Sequence, residues 1–516
     1  MKLNTLTIIS LVLLINHATA LNVLGIFPYE GKSHFFTFQI YLRELANRGH
    51  NVMVISYFPE KDPPPNYQDI YIGETKVLQD DIPVYKSYLT LLATAFYIAL
   101  YGMNNCKDLV ESPRVQNFVN SKPKFDVVVV EQFNSDCALG IAYKLGAPVV
   151  GMTSHVLMPF HFDRFGIPNN PAYVSFHFLE GGTKPSLYQR VERIIFDAYF
   201  KMFYKLSQWR DRNTFIAQFG DVPPLEDLAR EIKILLLYQH FILTGTKLLP
   251  SNVIEVGGYH VAKAKPLTGV SISMQICHGV IYISFGSMLK SSTIPAYKLR
   301  SILEVIDALP HRFIWRWDDS TLKINKNKVY ISNWLPQVDI LAHPKTLAFM
   351  SHGGMGGSSE AIHYGVPIIA MPIFGDQPSN AFAIEESGLG VHLAFNEIEK
   401  DTLLAAFEKV LDPNYYQKIS KILRVKEVSR AWHDRPMSPM DTAVYWTEFA
   451  ARNANFTLRT AAADKPLYQH MNLDIAAVFI VLIFITIYAL KSLVKLCKSK
   501  KTGNDSKKGK NKSKRE

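Results

Sequence analysis

A histidine and two glycines directly follow a short apolar run in the second half of the sequence. Thr346–Met350 predicts a buried strand, and Ser-His-Gly-Gly comes immediately after it. A helical pattern then continues to Tyr364, and Val366–Pro372 predicts the next strand. Glycines let a ligand approach the backbone closely, and the free N–H groups at the start of a helix attract anions. This stretch therefore predicts a βαβ unit in which His352 and the backbone at Gly354 bind a diphosphate.

Three further polar residues of this unit could recognise hydroxyl groups. Glu360 lies about two helical turns beyond the histidine, where its carboxylate could accept hydrogen bonds from a ribose. Asp376 and Gln377 follow the second strand, where they could bind sugar hydroxyls. The turn is not G-x-G-x-x-G, so a nicotinamide or flavin site is disfavoured. On spacing alone, the alternative is an ordinary glycine-rich turn followed by a solvated glutamate.

A second histidine stands at the first strand-to-helix turn of the chain. Asn22–Pro28 predicts a buried strand and Phe35–Arg48 a helix, which puts His34 between them. Another buried strand, residues 125–130, leads into Glu131, and Asp136 follows five residues later. Both carboxylates thus follow a predicted strand, as His34 does. Judged by residue type alone, a single histidine near a helix start is more often structural.

The residues from Phe349 to Asn380 resemble the signature of the membrane-bound animal UDP-glycosyltransferases. The resemblance rests on His-Gly-Gly, on Glu360, on a Gly-Val-Pro turn and on the Asp-Gln-Pro-x-Asn ending. The flanking blocks at residues 283–287 and 333–337 are similar to family blocks as well. The resemblance to the family extends from Leu21 to the C-terminal tail, and the sequence is most similar to insect members. It implies an α/β fold of GT-B type, with two facing Rossmann-like domains and a single C-terminal transmembrane helix.

The resemblance also implies roles for individual residues. His34 would be the general base, and a carboxylate after the third strand would orient it. The family carries aspartate there; Glu131 occupies that register position in this chain, whereas Asp136 has the expected residue type. Trp334 would stack on uracil, Gln337 would bind the base or ribose, and Ser287 would bind a phosphate.

Members of the family transfer a sugar from a UDP-sugar to a hydroxyl group of a small lipophilic acceptor. The reaction inverts the anomeric centre and serves detoxification-type conjugation, and the resemblance implies neither a cofactor nor a metal. Insect members generally use glucose, so we expect UDP-glucose, with a glucuronosyl donor as the alternative. Two other classes remain open, a lipophile carrier without turnover and an accessory subunit that needs a partner.

The length and the hydropathy pattern predict several segments in the 516-residue chain. The expected organisation is a signal peptide at 1–20, an N-terminal acceptor-binding domain at 21–260, a linker at 261–270, a UDP-sugar-binding domain at 271–430, a helix packing back on the first domain at 431–455, a stalk at 456–474, a transmembrane helix at 475–494 and a basic cytosolic tail at 495–516. The lysines after the span predict a lumenal catalytic body, single-pass type I. Lys512-Ser513-Lys514-Arg515-Glu516 resembles a dilysine retrieval signal, which favours the endoplasmic reticulum.

The net charge of +11 does not indicate nucleic-acid binding. Residues 491–516 hold eleven basic and two acidic side chains, so the rest of the chain is nearly neutral. Four widely spaced cysteines give neither a zinc pattern nor a dense disulfide framework. Three precede the predicted span, so at least one of them should be a free thiol, and we expect buried structural cysteines. Asn455-Phe456-Thr457 is a glycosylation sequon. The sequence is compatible with a homo-oligomer.

Overall fold

The computed structural model describes residues 20–75, 80–81, 88–267, 279–287, 289–411 and 424–512. The predicted signal peptide, apart from Ala20, lies outside these residues, as do residues 268–270 of the predicted linker and Cys277. The described chain forms two compact units, residues 1–459 and 460–516.

The first half of the larger unit is built on a seven-stranded parallel sheet. Its strands are near-continuous apolar runs, as expected for a parallel sheet that is covered on both faces. They are β1 (Asn22–Phe27), β2 (Asn51–Ser56), β3 (Tyr67–Tyr71), β5 (Val127–Glu131), β6 (Val149–Met152), β7 (Ile234–Leu237) and β8 (Val253–Glu255), and β4 (Asp80–Asp81) stands apart from them.

Helices cover both faces of this first sheet. They are α1 (Lys32–Asn47), α2 (Tyr88–Glu111), α3 (Pro113–Asn120), α4 (Cys137–Leu145), α5 (Pro159–Phe165), α6 (Leu187–Phe219), α7 (Leu225–Arg230) and α8 (Phe241–Thr244). The long helix α6 begins with a capping box, in which the hydroxyl of Ser186 accepts from the N–H of Gln189 and the Gln189 side chain bonds back.

The second half is built on a six-stranded parallel sheet. Its strands are β9 (Val280–Ser284), β11 (Arg312–Arg316), β12 (Val329–Ser332), β13 (Thr346–Ser351), β14 (Ile368–Ala370) and β15 (Gly390–His392). Its helices are α9 (Ala296–Ala308), α10 (Gln337–Ala342), α11 (Met355–Tyr364), α12 (Gln377–Glu386) and α13 (Lys400–Leu411). The short strand β10 (Leu289–Lys290) pairs with β4, so a two-stranded ribbon joins the halves.

Each sheet reverses its winding direction once. The first sheet has the order β3-β2-β1-β5-β6-β7-β8, so the chain leaves β1 in one direction and continues from β5 in the other. The second has the order β12-β11-β9-β13-β14-β15 and reverses between β9 and β13. Ligands bind beyond the carboxyl ends of the strands at such reversals. Four of the candidate residues lie at or after the carboxyl ends of these strands: His34, Glu131, Ser287 and His352. The others follow neighbouring strands, Trp334 and Gln337 after β12 and Asp376 and Gln377 after β14.

Two helices after α13 return toward the first half. They are α14 (Val425–His433) and α15 (Pro439–Arg452). From α15, the Thr447 hydroxyl lies 2.5 Å from that of Tyr41, and Glu448 lies 3.2 Å from His50. Because Tyr41 belongs to α1, this C-terminal segment ties the end of the unit to its beginning.

Two expectations about local structure were wrong. The polar, proline-rich composition of residues 62–82 predicts a loop, yet β3 adds an edge strand there, because Val52 and its neighbours in β2 offer an open edge. Cys106 of α2 and Cys137 of α4 are buried as expected but form a disulfide, with their Cα atoms 5.4 Å apart. The two cysteines are 31 positions apart in the sequence, and they meet because α2 and α4 both pack against α6.

The smaller unit consists mainly of one long helix. It comprises α16 (Leu467–His470) and α17 (Leu473–Lys512). Within α17, Leu473–Leu496 has a mean hydropathy of 2.7 and is long and apolar enough to cross a membrane. The stretch is not buried within the structure, which is consistent with a membrane anchor.

A buried carboxyl group on α6 makes stability depend on pH. Burial raises the pKa of Asp211 to about 7 from 3.8, a donated hydrogen bond from Ser135 opposes this rise, and the negative charge of Asp136 adds to it. The unfolded chain therefore loses this proton near pH 4 and the folded chain near pH 7, so stability falls as pH rises between these values.

Asp211→Asn should remove this penalty. We expect its melting temperature to exceed that of the wild type at pH 8 and the difference to shrink towards pH 4. The free-energy difference at pH 8 should be up to about 4 kcal/mol, because the pKa rises from 3.8 to about 7 and each pKa unit corresponds to about 1.4 kcal/mol. Thermal unfolding across this pH range, monitored by tryptophan fluorescence, measures the difference in stability between the variant and the wild type. A variant less stable than the wild type at pH 8 would contradict the expectation.

Candidate active site

His34 and Glu131 meet at the reversal point of the first sheet. His34 lies in the first turn of α1 and Glu131 is the last residue of β5, and Nδ1 lies 2.8 Å from Oε1. A carboxylate can only accept, so Nδ1 carries the proton and Nε2 keeps the lone pair that a base needs. The Glu131 side chain is 4% exposed and that of His34 22%, so the acid is enclosed while the imidazole remains open to a substrate.

Aromatic rings hold the imidazole of His34 in place. The rings of Tyr29 and Phe133 each lie 4.7 Å from it, centroid to centroid, and that of His155 lies at 5.8 Å. His155 is buried, and burial lowers its pKa well below the usual value, so it stays neutral beside His34. The wall around the candidate base is therefore largely apolar.

Asp136 does not contact His34. Its carboxylate binds the guanidinium of Arg164 through bonds of 3.2 and 2.7 Å, and it also accepts from Tyr204 at 2.9 Å and Gln208 at 2.6 Å. All four side chains are buried. The charge of Asp136 balances that of the buried Arg164 between α4, α5 and α6. The alternative in which Asp136 orients His34 is therefore wrong. Of the two open choices, the structure brings Glu131 to His34.

The second sheet presents a histidine and glycines at its own reversal point. His352 follows β13, and Gly354 is the N-cap residue of α11. Burial lowers the pKa of His352 to about 4, while the negative charge of Asp376 opposes this fall. The imidazole is therefore neutral at pH 7, and it also hydrogen-bonds the backbone of Ser284. Gly353 has φ +78°, a conformation that favours glycine.

The imidazole of His352 lies against the backbones of two glycines. A Cβ atom added at Gly354 would lie 2.5 Å from its Nε2, and one added at Gly286 would lie 2.7 Å from the same atom. Gly286 follows β9 and precedes Ser287, which is half-buried. The loops after β9 and β13 thus enclose one histidine, and they bring Ser287, His352 and Gly354 to one place.

Gly354→Ala should disturb this arrangement without disturbing the helix. Gly354 has φ −64°, which alanine adopts readily, but the new methyl group must displace the imidazole of His352. We expect UDP affinity to fall roughly tenfold, the loss of one hydrogen bond to a charged group. Titration calorimetry measures it. Gly73→Ala is the control, because it lies in the first half and its Cβ would meet nothing within 4 Å. If Gly354→Ala bound UDP as tightly as the wild type does, His352 would not be part of the UDP site.

Trp334, Gln337 and Glu360 lie around the loop between β12 and α10 and on the adjoining face of α11. The Trp334 side chain is 69% exposed, so one indole face is open. Gln337 Nε2 donates to Glu360 Oε2 at 2.6 Å, and Gln337 Oε1 accepts from the Tyr282 hydroxyl at 3.2 Å. Gln337 and Glu360 thus form one hydrogen-bonded pair beside the open tryptophan.

Asp376 and Gln377 begin α12 and hold its loop. Asp376 Oδ2 accepts from Asn380 Nδ2 at 2.8 Å, and the same Nδ2 lies 3.1 Å from the carbonyl oxygen of Gly353. Gln377 Oε1 accepts from the N–H groups of Ile373 and Phe374, at 2.9 and 3.0 Å. The amide oxygen of Gln377 therefore shapes the loop, which leaves its NH₂ group as the end that could donate to a sugar.

The first half contacts α12 directly. Ser379 Oγ donates to the carbonyl oxygen of His177 at 3.0 Å and lies 2.9 Å from that of Asp376. The Thr183 N–H donates to Glu386 at 2.9 Å. The loop between α5 and α6 thus reaches the helix that carries Asp376.

Sequence reasoning missed two site-lining residues. Arg316 ends β11 and donates to the carbonyl oxygens of Gly286 and Asn333, which holds the Ser287 and Trp334 loops together. His260 lies 3.2 Å from Glu360 across the two halves. No motif marks either residue, because both act through backbone or side-chain contacts with segments distant in sequence.

Comparison with known proteins decides which class of protein carries this pair of sites. The sequence matches the family model described as UDP-glucoronosyl and UDP-glucosyl transferase over residues 63–508. The chain belongs to this family. UDP-glucosyltransferase 2 of Dactylopius coccus is 33% identical to it over 496 residues, which cover 93% of this chain and 95% of the relative. UDP-glucuronosyltransferase 1A3 of Rattus norvegicus is 27% identical, covering 90% and 89%.

Solved structures support the fold of this UDP-glycosyltransferase. A UDP-glucosyltransferase from Polygonum tinctorium, described as capable of glucosylating indoxyl, aligns with a TM-score of 0.57 and 15% identity. The alignment covers 84% of this chain and all of that one. The predictions of family, of an α/β GT-B fold and of glycosyltransferase activity are confirmed by these matches.

Proposed function

We propose that this UDP-glycosyltransferase moves a hexose to the hydroxyl group of a small lipophilic acceptor in one inverting displacement. His34 Nε2 removes the acceptor proton while the acceptor oxygen attacks the anomeric carbon and the bond to UDP breaks. Glu131 keeps the imidazole in the required tautomer and offsets the positive charge that forms on it. The 2.8 Å bond between His34 and Glu131 at the sheet reversal carries this proposal.

The donor binds at the second sheet reversal. Trp334 stacks on the uracil, Gln337 and Glu360 bind the base and ribose, and Asp376 and Gln377 bind the transferred sugar. The diphosphate contacts Ser287, His352 and the N–H groups at the start of α11, so charge on the leaving UDP is stabilised without a metal ion or cofactor. The glycines beside His352 support this proposal, because a side chain at Gly286 or Gly354 would displace the imidazole that contacts the diphosphate.

The acceptor binds beside His34, in the first half. Phe133 and His155 contact the base, and an apolar cluster adjoins them. Its buried members are Ala95, Met158, Phe160, Phe176, Phe178, Leu179, Phe196, Phe200 and Tyr204. An apolar wall of this kind favours greasy hydroxyl compounds and detoxification-type conjugation.

We propose glucose as the transferred sugar. The relative that is 33% identical is named a UDP-glucosyltransferase, whereas the glucuronosyltransferase from rat is 27% identical. A UDP-release assay on microsomes, with a panel of phenols and either UDP-glucose or UDP-glucuronate, tests the choice. Faster UDP release from UDP-glucuronate than from UDP-glucose would show that glucose is not the preferred sugar. If the protein bound the acceptor but released UDP from neither donor, a carrier or an accessory subunit would be favoured.

We propose that α17 anchors the enzyme in the endoplasmic reticulum membrane, single-pass type I, with the catalytic body in the lumen. The apolar stretch 473–496 supports the anchor, and the Cys106–Cys137 disulfide supports an oxidising compartment. The basic residues that follow the stretch support a cytosolic tail.

Asn455 gives this orientation a direct test. The sequon lies on an exposed turn after α15, where an oligosaccharyltransferase could reach it. We expect endoglycosidase H to increase the electrophoretic mobility of the wild type and to leave Asn455→Gln unchanged. Asn453→Gln is the matched control, because it lies nearby outside the sequon. Protease protection of the tail in intact microsomes would contradict the orientation.

A further inference from the structure

Five side chains form one continuous hydrogen-bonded series, here called the interdomain relay: Tyr238, His260, Glu360, Gln337 and Tyr282. The Tyr238 hydroxyl contacts His260 Nδ1, and His260 Nε2 lies 3.2 Å from Glu360 Oε1. Glu360 Oε2 accepts from Gln337 Nε2 at 2.6 Å, and Gln337 Oε1 accepts from Tyr282 at 3.2 Å. Four members are buried and Gln337 is half-buried, so the series is shielded from water.

One arrangement of protons with a neutral His260 satisfies every contact of the relay. Burial raises the pKa of both tyrosines above the usual value, so both hydroxyls are protonated and donate. His260 Nδ1 accepts from Tyr238, which puts the other proton on Nε2, pointing at Glu360. Each carboxylate oxygen then accepts one protein hydrogen bond and keeps a second lone pair. Two lone pairs of fixed direction suit two adjacent hydroxyl groups.

The relay crosses between the halves of the larger unit. Tyr238 follows β7 and His260 follows β8, whereas Glu360 belongs to α11. The connection between the halves is also held beside it, because the Tyr364 hydroxyl donates to the carbonyl oxygen of Ala262 at 3.1 Å. The direction of the Glu360 carboxylate therefore depends on a residue of the acceptor-binding half.

We propose that His260 is a positioning residue for the donor nucleotide: it orients Glu360 from the opposite half of the molecule so that this carboxylate binds both ribose hydroxyls. The inference rests on the proposed UDP site. Ribose recognition then requires the two halves to be in contact, and the acceptor-binding half contributes to donor affinity without touching the nucleotide.

Comparing UDP with 2′-deoxy-UDP by calorimetry isolates the ribose contact. The full-length wild type should bind UDP roughly tenfold more tightly, the value of one hydrogen bond to a charged group. His260→Phe should bring this ratio close to one, and His260→Gln, which can donate to Glu360, should restore part of it. General damage to the site would weaken both ligands equally and leave the ratio unchanged.

His50→Phe is the matched control, because His50 is also buried and also lies 3.2 Å from a glutamate, Glu448, far from the nucleotide. Its ratio of UDP affinity to 2′-deoxy-UDP affinity should equal that of the wild type.

If the wild type prefers UDP and both His260 variants keep that preference, the relay proposal is overturned while the UDP site stands. If Glu360→Gln also keeps it, Glu360 does not bind the ribose. If the wild type binds neither nucleotide, the proposed function itself fails.

Discussion

His34→Ala is expected to lower kcat by about 10²–10⁴ while the affinity for UDP stays unchanged. The imidazole Nε2 is the atom that would take the acceptor proton, and Glu131 fixes it in that state through the 2.8 Å bond to Nδ1. Alanine removes the base but touches nothing at the second sheet, where the nucleotide is proposed to bind. UDP release with a responsive phenol measures turnover, and calorimetry measures the affinity.

Two carboxylate variants sharpen this test. Glu131→Gln should also lower kcat, since the amide no longer offsets the imidazolium charge. Asp136→Asn should mainly lower the melting temperature, because Asp136 balances the buried Arg164 rather than orienting His34. Normal turnover in His34→Ala would refute the assignment of the base. A turnover loss in Asp136→Asn without loss of stability would show that the carboxylate roles are reversed.

Trp334→Ala is expected to weaken UDP binding by roughly 5- to 150-fold. Stacking of a base on an aromatic side chain contributes about 1–3 kcal/mol, and each 1.4 kcal/mol corresponds to about a tenfold change in Kd. The indole is 69% exposed, so its removal should leave the fold intact. Calorimetry with UDP measures the loss, and Trp334→Phe should retain most of the affinity because it keeps a flat ring.

The chain contains a matched control for this variant. Trp209 of α6 is 62% exposed and lies in the first half, away from the second sheet. Trp209→Ala should bind UDP as tightly as the wild type does. If Trp334→Ala and Trp209→Ala bound UDP equally tightly, the uracil would stack elsewhere and the nucleotide site would have to be reassigned.

Local pattern was enough to predict most of the elements that position the site. The apolar runs that became β1, β5, β9 and β13 are short and continuous, as buried parallel strands require. The glycine turn after β13 was predicted from residue types alone, and α11 begins there. The strand β3 was missed because its sequence, Tyr-Gln-Asp-Ile-Tyr, is polar and follows prolines.

Contacts between distant segments were decided only by the tertiary structure. Glu131 and Asp136 are both acids near the end of β5, yet the first faces His34 and the second turns toward Arg164. Spacing along the chain cannot distinguish them, because the direction of a side chain after a strand depends on what packs against it. The Cys106–Cys137 bond depended in the same way on tertiary packing, because α2 and α4 both pack against α6.

The sequence by itself thus determined the family, the two-sheet fold and the segments that carry His34 and His352. The family and the two-sheet fold follow from the resemblance of these motifs to those of the family, whereas the individual strands and helices follow from short-range periodicity, which each segment carries without its neighbours. The tertiary structure alone decided which carboxylate meets the base and that His260 reaches Glu360 across the halves. Those contacts depend on how two sheets and their helices pack, and a 100-residue separation along the chain leaves no periodic trace of them.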